Sequence, residues 1–291
     1  MIGLGSVAAA SLLDLRCARS SPIRFGYAAI TWGGNDLQAI NDVGAVGFRG
    51  IQLRSPILKD FGERPRELAD LLKQHNLQFV ALSGGGPRND NDREAEIATQ
   101  VKHANFLRDA GGMYLQMTDS MRPKDGKPDS ESFKSLGRLL NEIGKRTNDI
   151  GIPMAYHNHM GTLGQAPEEV DELMDATDPR YVKLLLDVAH YTQGGGDPVQ
   201  AIKRHHERIQ FLHIKDVETI PATPESNEKY RFVELGRGRV DLPGVFRALA
   251  EVGFRGWAIV ELDSVPDQSR TPTESAKISK QYLEDKLGMK I

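Results

Sequence analysis

The chain has 291 residues, with 37 Lys and Arg against 40 Asp and Glu and a net charge of −3. This mildly acidic balance offers no basic excess for a phosphate backbone, which argues against a nucleic-acid partner. The single Cys17 excludes an internal disulfide and any zinc site built from several cysteines.

Residues 2–13, IGLGSVAAASLL, form an apolar run about as long as a signal-peptide core, but no Lys or Arg precedes it. The run is too short to span a bilayer. Two readings stand side by side: the remnant of an export signal on a periplasmic protein, or a packed or frayed terminal helix on a cytoplasmic one. Either way, residues 1–22 are set apart from the expected fold.

From residue 23 onward, short apolar runs of β type alternate with longer stretches of helical character. The runs are RFGYAAITW (24–32), GIQLR (50–54), QFVALSG (78–84), MYLQMT (113–118), PMAYHNH (153–159), VKLLLDVAH (182–190), IQFLHIKD (209–216) and WAIVELD (257–263). Between them lie RPRELADLLKQH, DREAEIATQVKHANFLRDA, SESFKSLGRLLNEIGKRTNDI, PEEVDELMDA, LPGVFRALAEV and TESAKISKQYLEDKL, most with apolar residues three and four apart. Alternating units of this kind predict parallel strands. Eight of them, with no Gly-rich phosphate turn after the first strand, predict a closed (β/α)₈ TIM barrel over residues 23–291 as a single domain. The Pro-, Glu- and Gly-rich segment 217–241 is then an extended loop on the active face.

In such a barrel, reactive groups collect at the carboxyl ends of the strands. The late strands end in His157 and His159, Asp187 and His190, His213, Lys215 and Asp216, and Glu261 and Asp263. Period-2 alternation puts His157, Asp187, His213 and Glu261 in one inward phase. Mixed imidazole and carboxylate ligands suit a divalent transition metal, with Mn²⁺ first and Co²⁺ or Zn²⁺ as alternatives. Each residue also has a plainer reading: a histidine at a strand end is often only hydrogen-bonded, and an acid there often caps the next helix. Four converging ionisable groups weigh against that, because each costs several kcal/mol if buried unpaired.

Two weaker signals accompany them. Arg237 in LGRGRVD (235–241) faces a substrate or merely a solvated turn, and Trp32 at the end of the first run walls a sugar pocket or packs in the core.

The motifs YHNH, LLLDVAH, FLHIKD, ELGRGRVDLPGVF and GWAIVELD, in this order, resemble the xylose-isomerase-like TIM-barrel family of sugar isomerases and epimerases, whose relatives include inosose dehydratases and metal-dependent abasic-site endonucleases. The resemblance runs from about residue 23 to the end and is distinctive after residue 150. It implies one divalent metal held from the fifth to eighth strands, with Asp187, His213 and Glu261 matching by type and strand. The family's fifth-strand Glu is absent: His157 stands in its place, and His159 sits where relatives often carry a second histidine. The histidine-bearing strand followed by MGT looks most like the inosose dehydratase branch.

The expected chemistry is proton removal beside a carbonyl, through an enediolate. Glu261 or His159 is the expected base, His190 and Lys215 orient hydroxyls, and Asp216 holds Lys215 or His213. Trp32, Arg237 and Asp216 complete the expected substrate contacts. The leading expectation is an isomerase or epimerase of a keto sugar or cyclitol, with a dehydratase or lyase on a keto-inositol or 3-keto-glycoside as the alternative. An abasic-site phosphodiesterase and a non-catalytic sugar-binding barrel rank lower. The expected partner is a small molecule, with no nucleic acid and no membrane; homo-oligomerisation is left open.

Overall fold

The computed structural model describes residues 23–88, 92–125, 127–221 and 229–291. The terminal run at 1–22, read above as signal remnant or terminal helix, lies outside the described residues.

Eight parallel strands close into a barrel: β1 (Ile23–Ala28), β2 (Gly50–Arg54), β3 (Gln78–Ser83), β4 (Tyr114–Met117), β5 (Met154–His157), β6 (Val182–Asp187), β7 (Ile209–Ile214) and, after a hairpin of β8 (Asp216–Thr219) with β9 (Tyr230–Val233), β10 (Gly256–Val260). Closure is made by β1, which pairs with β2 on one side and with β10 on the other, Ile23 opposite Gly256 and Tyr27 opposite Val260. Each expected strand is present, and each begins within a residue of its apolar run. The helical stretches between them fold as helices, among them Pro65–Gln74, Arg93–Asp109, Ser130–Asp149 and Pro167–Asp175. Among the described residues no helix is long and apolar enough to cross a membrane.

The barrel interior is filled by Ala28, Val80, Ala81, Ala155, Leu185, Phe211, Trp257 and Ile259, with Tyr114 stacked on Phe211 at 5.3 Å. Trp257 fits because Gly50 faces it: a Cβ there would lie 2.5 Å from Trp257 Cζ3. Burying so many apolar side chains inside the strands leaves the strand ends to carry the polar ones.

Two stretches depart from their patterns. The sixth strand stops at Asp187, and Val188–Gln193 turns helical, so His190 sits on a first helical turn and not on the strand. The long segment after β7 is not all loop. Its two arms pair antiparallel as β8 and β9, Asp216 opposite Val233, and overhang the barrel mouth.

Candidate active site

His157 and Asp187 are the last residues of β5 and β6, His213 lies on β7, and Glu261 follows β10; none is more than 5% exposed. His157 Nε2 lies 3.5 Å from Asp187 Oδ2, and His213 Nδ1 lies 3.6 Å from that oxygen and 3.3 Å from Glu261 Oε1. Two ligands about 2.1 Å from one ion at a tetrahedral angle are about 3.4 Å apart, so these separations fit a shared ion. His157 Nε2, Asp187 Oδ2 and His213 Nδ1 are buried without a hydrogen-bond partner. Buried polar atoms are normally paired, and three that face one another beside a second carboxylate have a cation as their natural common partner.

The electrostatics agree. Burial pushes the His157 imidazole down to about 4, with His213 adding to the effect, so its ring is neutral. Burial also opposes the charge on Asp187 and Glu261, yet their neighbours prevail: His190 and Lys215 hold Asp187, and His213 and Lys215 hold Glu261, well below the usual carboxylate range. At His213 burial pulls down, but the charges of Glu261 and Asp187 outweigh it and raise the ring to about 9. The two carboxylates thus draw positive charge into the centre.

His190 also comes within 4.8 Å of His157, Asp187 and Glu261. Its Nε2, however, accepts from Lys215 Nζ at 3.1 Å, which occupies the lone pair it would offer an ion. The free Nδ1 of His213 is the better fourth donor.

Local sequence explains the aim of each group. Asp187 serves two roles at once: Oδ1 caps the following helix by accepting from Ala189 and His190 N–H at 2.9 and 2.8 Å, which turns Oδ2 into the site. Asn158 clasps the Asp187 backbone with both amide atoms, at 2.8 and 3.2 Å, locking the ends of β5 and β6 together. Tyr156 points outward, and its hydroxyl donates to Asp119 at 2.6 Å. In YHNH, therefore, two residues brace the loops and two are histidines that face the site.

Lys215 is fully buried and lines neither cavity at the mouth. Its ammonium reaches Asp263 at 2.5 Å and Glu261 at 3.2 Å and sits 4.0 Å over the Phe232 ring. Burial alone would lower it, but Asp263, Glu261 and Asp187 hold it above the ordinary lysine range. Lys215, expected to orient substrate hydroxyls, thus sits behind Glu261 and Asp263.

An inner cavity of about 150 Å³ is lined by Gln52, Arg54, Ser83, Gln116, His157 and Glu261 among others. An outer one of about 480 Å³ is walled by His190, Tyr230, Phe232 and Pro266. His159 and Asp263 line both. His159 donates Nδ1–H to the Met160 carbonyl at 2.7 Å, which leaves Nε2 with a free lone pair.

Three expected contacts lie elsewhere. Trp32 is past the end of β1, in a short turn, with its ring edge-on to Tyr27 at 5.6 Å and its N–H on Asp42 at 2.8 Å; it packs in the core. Arg237 pairs with Glu234 at 3.6 Å and lines a separate surface cleft. Asp216 touches neither Lys215 nor His213. Its carboxylate accepts from Val217, Gly236, Gly238 and Val240 N–H at 2.9, 3.0, 2.9 and 3.1 Å, and so gathers the loop after β9. Asp216→Ala strands those donors and is expected to lower stability by about 2–4 kcal/mol in urea unfolding, with metal binding intact. Sequence reasoning passed over Gln52, Gln116 and Asn158, whose neutral amides carry no charge signal, and gave Asp263 no role.

Residues 40–286 match the family described as xylose isomerase-like TIM barrel. The rhizopine catabolism protein MocC of Rhizobium meliloti is 32% identical over 293 residues, covering 90% of this chain and 87% of that protein. An inosose dehydratase of Clostridium botulinum is 27% identical over 300 residues, covering 93% and 99%. Among solved structures, that of the IolI protein with a binding zinc atom superposes with a TM-score of 0.75 at 22% identity, covering 90% of this chain and 97% of that one.

Proposed function

This chain belongs to the xylose isomerase-like TIM barrel family, and from that premise we propose that it is a divalent-metal-dependent dehydratase of an uncharged keto-cyclitol. The observation that carries the metal is the set of buried, unpartnered atoms His157 Nε2, Asp187 Oδ2 and His213 Nδ1 beside Glu261 Oε1. Two imidazoles and two carboxylates suit Mn²⁺, Co²⁺ or Zn²⁺. The similarity to proteins named inosose dehydratases favours dehydration over the isomerase or epimerase expected first.

A metal held by these four residues supplies Lewis-acid stabilisation of negative charge on the carbonyl and neighbouring oxygens. The chain's own groups do the rest. His159 Nε2 faces the cavity with its lone pair free and takes the proton from the carbon beside the carbonyl. That C–H bond breaks, a C=C bond forms, and the C–O bond to the neighbouring hydroxyl breaks. The proton gained by His159 passes to the departing hydroxyl, which leaves as water. Glu261, bonded to Lys215 and held ionised beside His213, is the poorer base of the two originally expected. Lys215 and Asp263 keep Glu261 in place.

Charge balance supports an unphosphorylated substrate. Among the described residues, Arg54 and Arg231 are the cations lining the two cavities; Arg54 lies 3.7 Å from Asp36, and Arg231 pairs with Glu218. A phosphate would have to break one of these pairs.

The metal-loaded enzyme, given an inosose in deuterated water, is expected to exchange the proton beside the carbonyl and to build up the ultraviolet absorbance of a conjugated carbonyl, with no turnover of the phosphate ester. Exchange with a new ketose and no absorbance change would make it an isomerase or epimerase. No exchange with any inosose or ketose would remove the enolisation chemistry altogether.

A further inference from the structure

Two glutamines stand behind the two histidines of the centre. Gln52, on β2, is 4% exposed, and its Oε1 accepts from His213 Nε2 at 2.9 Å. Gln116, on β4, is 2% exposed, and its Nε2 lies 3.1 Å from His157 Nδ1. The β2–β3 register slips at Gln52, a local irregularity of the kind that re-aims a side chain beside a site.

A neutral imidazole that offers one nitrogen to a metal carries its proton on the other. For His213 that condition is met. Its Nε2–H goes to Gln52, and Nδ1 faces Asp187 and Glu261, where an ion would take the place of the proton that those carboxylates draw there. His157 stands differently. The amide nitrogen of Gln116 can only donate, so His157 Nδ1 accepts and the ring proton sits on Nε2, directed at Asp187 Oδ2 3.5 Å away. Meanwhile Gln116 Oε1 is buried without a hydrogen-bond partner. A half-turn of the amide exchanges its two ends, so that Oε1 accepts from Nδ1–H and the Nε2 lone pair is freed.

Resting on the metal reading above, we infer that Gln52 and Gln116 are positioning residues that set the tautomers of His213 and His157, the Gln116 amide oxygen accepting the Nδ1 proton so that His157 Nε2 is open to the metal. Ligand-supporting partners of this kind are usually carboxylates or backbone carbonyls, which accept only.

The test measures Zn²⁺ affinity by competition with a chromophoric chelator, alongside the melting temperature of the metal-free protein. The wild type is expected to bind one equivalent. Gln116→Leu, close in volume, is expected to bind roughly 10- to 100-fold more weakly, as is usual when such a partner is lost. Its metal-free melting temperature should hold or rise, since the substitution removes an unpartnered carbonyl oxygen. Gln116→Glu accepts only, fixes the proton on Nδ1, and is expected to match or exceed the wild type. Gln52→Leu should weaken binding on the same scale. Wild-type affinity in Gln116→Leu would overturn the inference and leave the metal reading standing. A loss in Gln116→Glu as large as in Gln116→Leu would also overturn it, because the donating amide would then be the one required. A wild type that binds no Zn²⁺ overturns both.

Discussion

His157→Ala is expected to lose metal and turnover together. The wild-type site brings four donor atoms from the ends of four strands together, with neighbouring separations of 3.3–3.6 Å, and His157 Nε2 is one of three with no other partner. Removing it leaves Asp187 Oδ2, His213 Nδ1 and Glu261 Oε1 to hold the ion from one side. The affinity loss should therefore exceed the roughly 100-fold that follows removal of a mere supporting residue. Metal analysis after gel filtration and the deuterium-exchange assay check it together. The variant should still fold, because the barrel interior below His157 is apolar and intact. Stoichiometric metal in His157→Ala would show that this histidine is not a ligand. His190, the other imidazole within 4.8 Å of Asp187 and Glu261, would then take its place in the ligand set.

How far the sequence reached this site depends on what signal each residue leaves. The barrel was legible because apolar runs and helical spacing repeat along the chain, and a parallel closed sheet is what such repetition builds. The phase of the candidate ligands was legible for the same reason: Leu185, Phe211 and Ile259 fill the interior, so Asp187, His213 and Glu261, an even number of residues further on, share their face. Asp187 satisfies both of its readings, one oxygen as a helix cap and the other toward the centre, a division no sequence pattern displays.

Asp216 misled because the residue after a buried lysine looks like its counter-ion. The glycines of LGRGRV held the better clue, since Gly238 has no room for a Cβ beside Asp216 Oδ1, 2.2 Å from where it would stand. Lys215 falls in the expected cluster, and its burial by Phe232 depends on a hairpin that the segment's loop-like composition hides. Gln52 lies 161 residues from His213, a pairing set wholly by barrel closure.

His159 is the residue on which the proposed chemistry turns, and His159→Ala is expected to keep the metal while turnover falls by roughly 10² or more, the usual scale for a positioned acid or base. The case rests on where the ring sits. Its centroid is 5.4 Å from that of His157 and perpendicular to it, and 3.8 Å from that of His190. It is half-buried, lines both the inner and outer cavities, and has its Nδ1 proton held by the Met160 carbonyl at 2.7 Å. The remaining lone pair on Nε2 is therefore presented to whatever occupies the cavity, two residues beyond the end of the strand that supplies His157. Removing the ring deletes that lone pair without touching any of the four donor atoms of the centre, so metal content and metal affinity should match the wild type. The deuterium-exchange assay reads the loss at the step concerned, independently of the final product. Slow exchange with unchanged metal content is the expected outcome. Full exchange in His159→Ala would return the role of base to Glu261, and loss of metal in His159→Ala with its retention in His157→Ala would mean that the two histidines have traded roles.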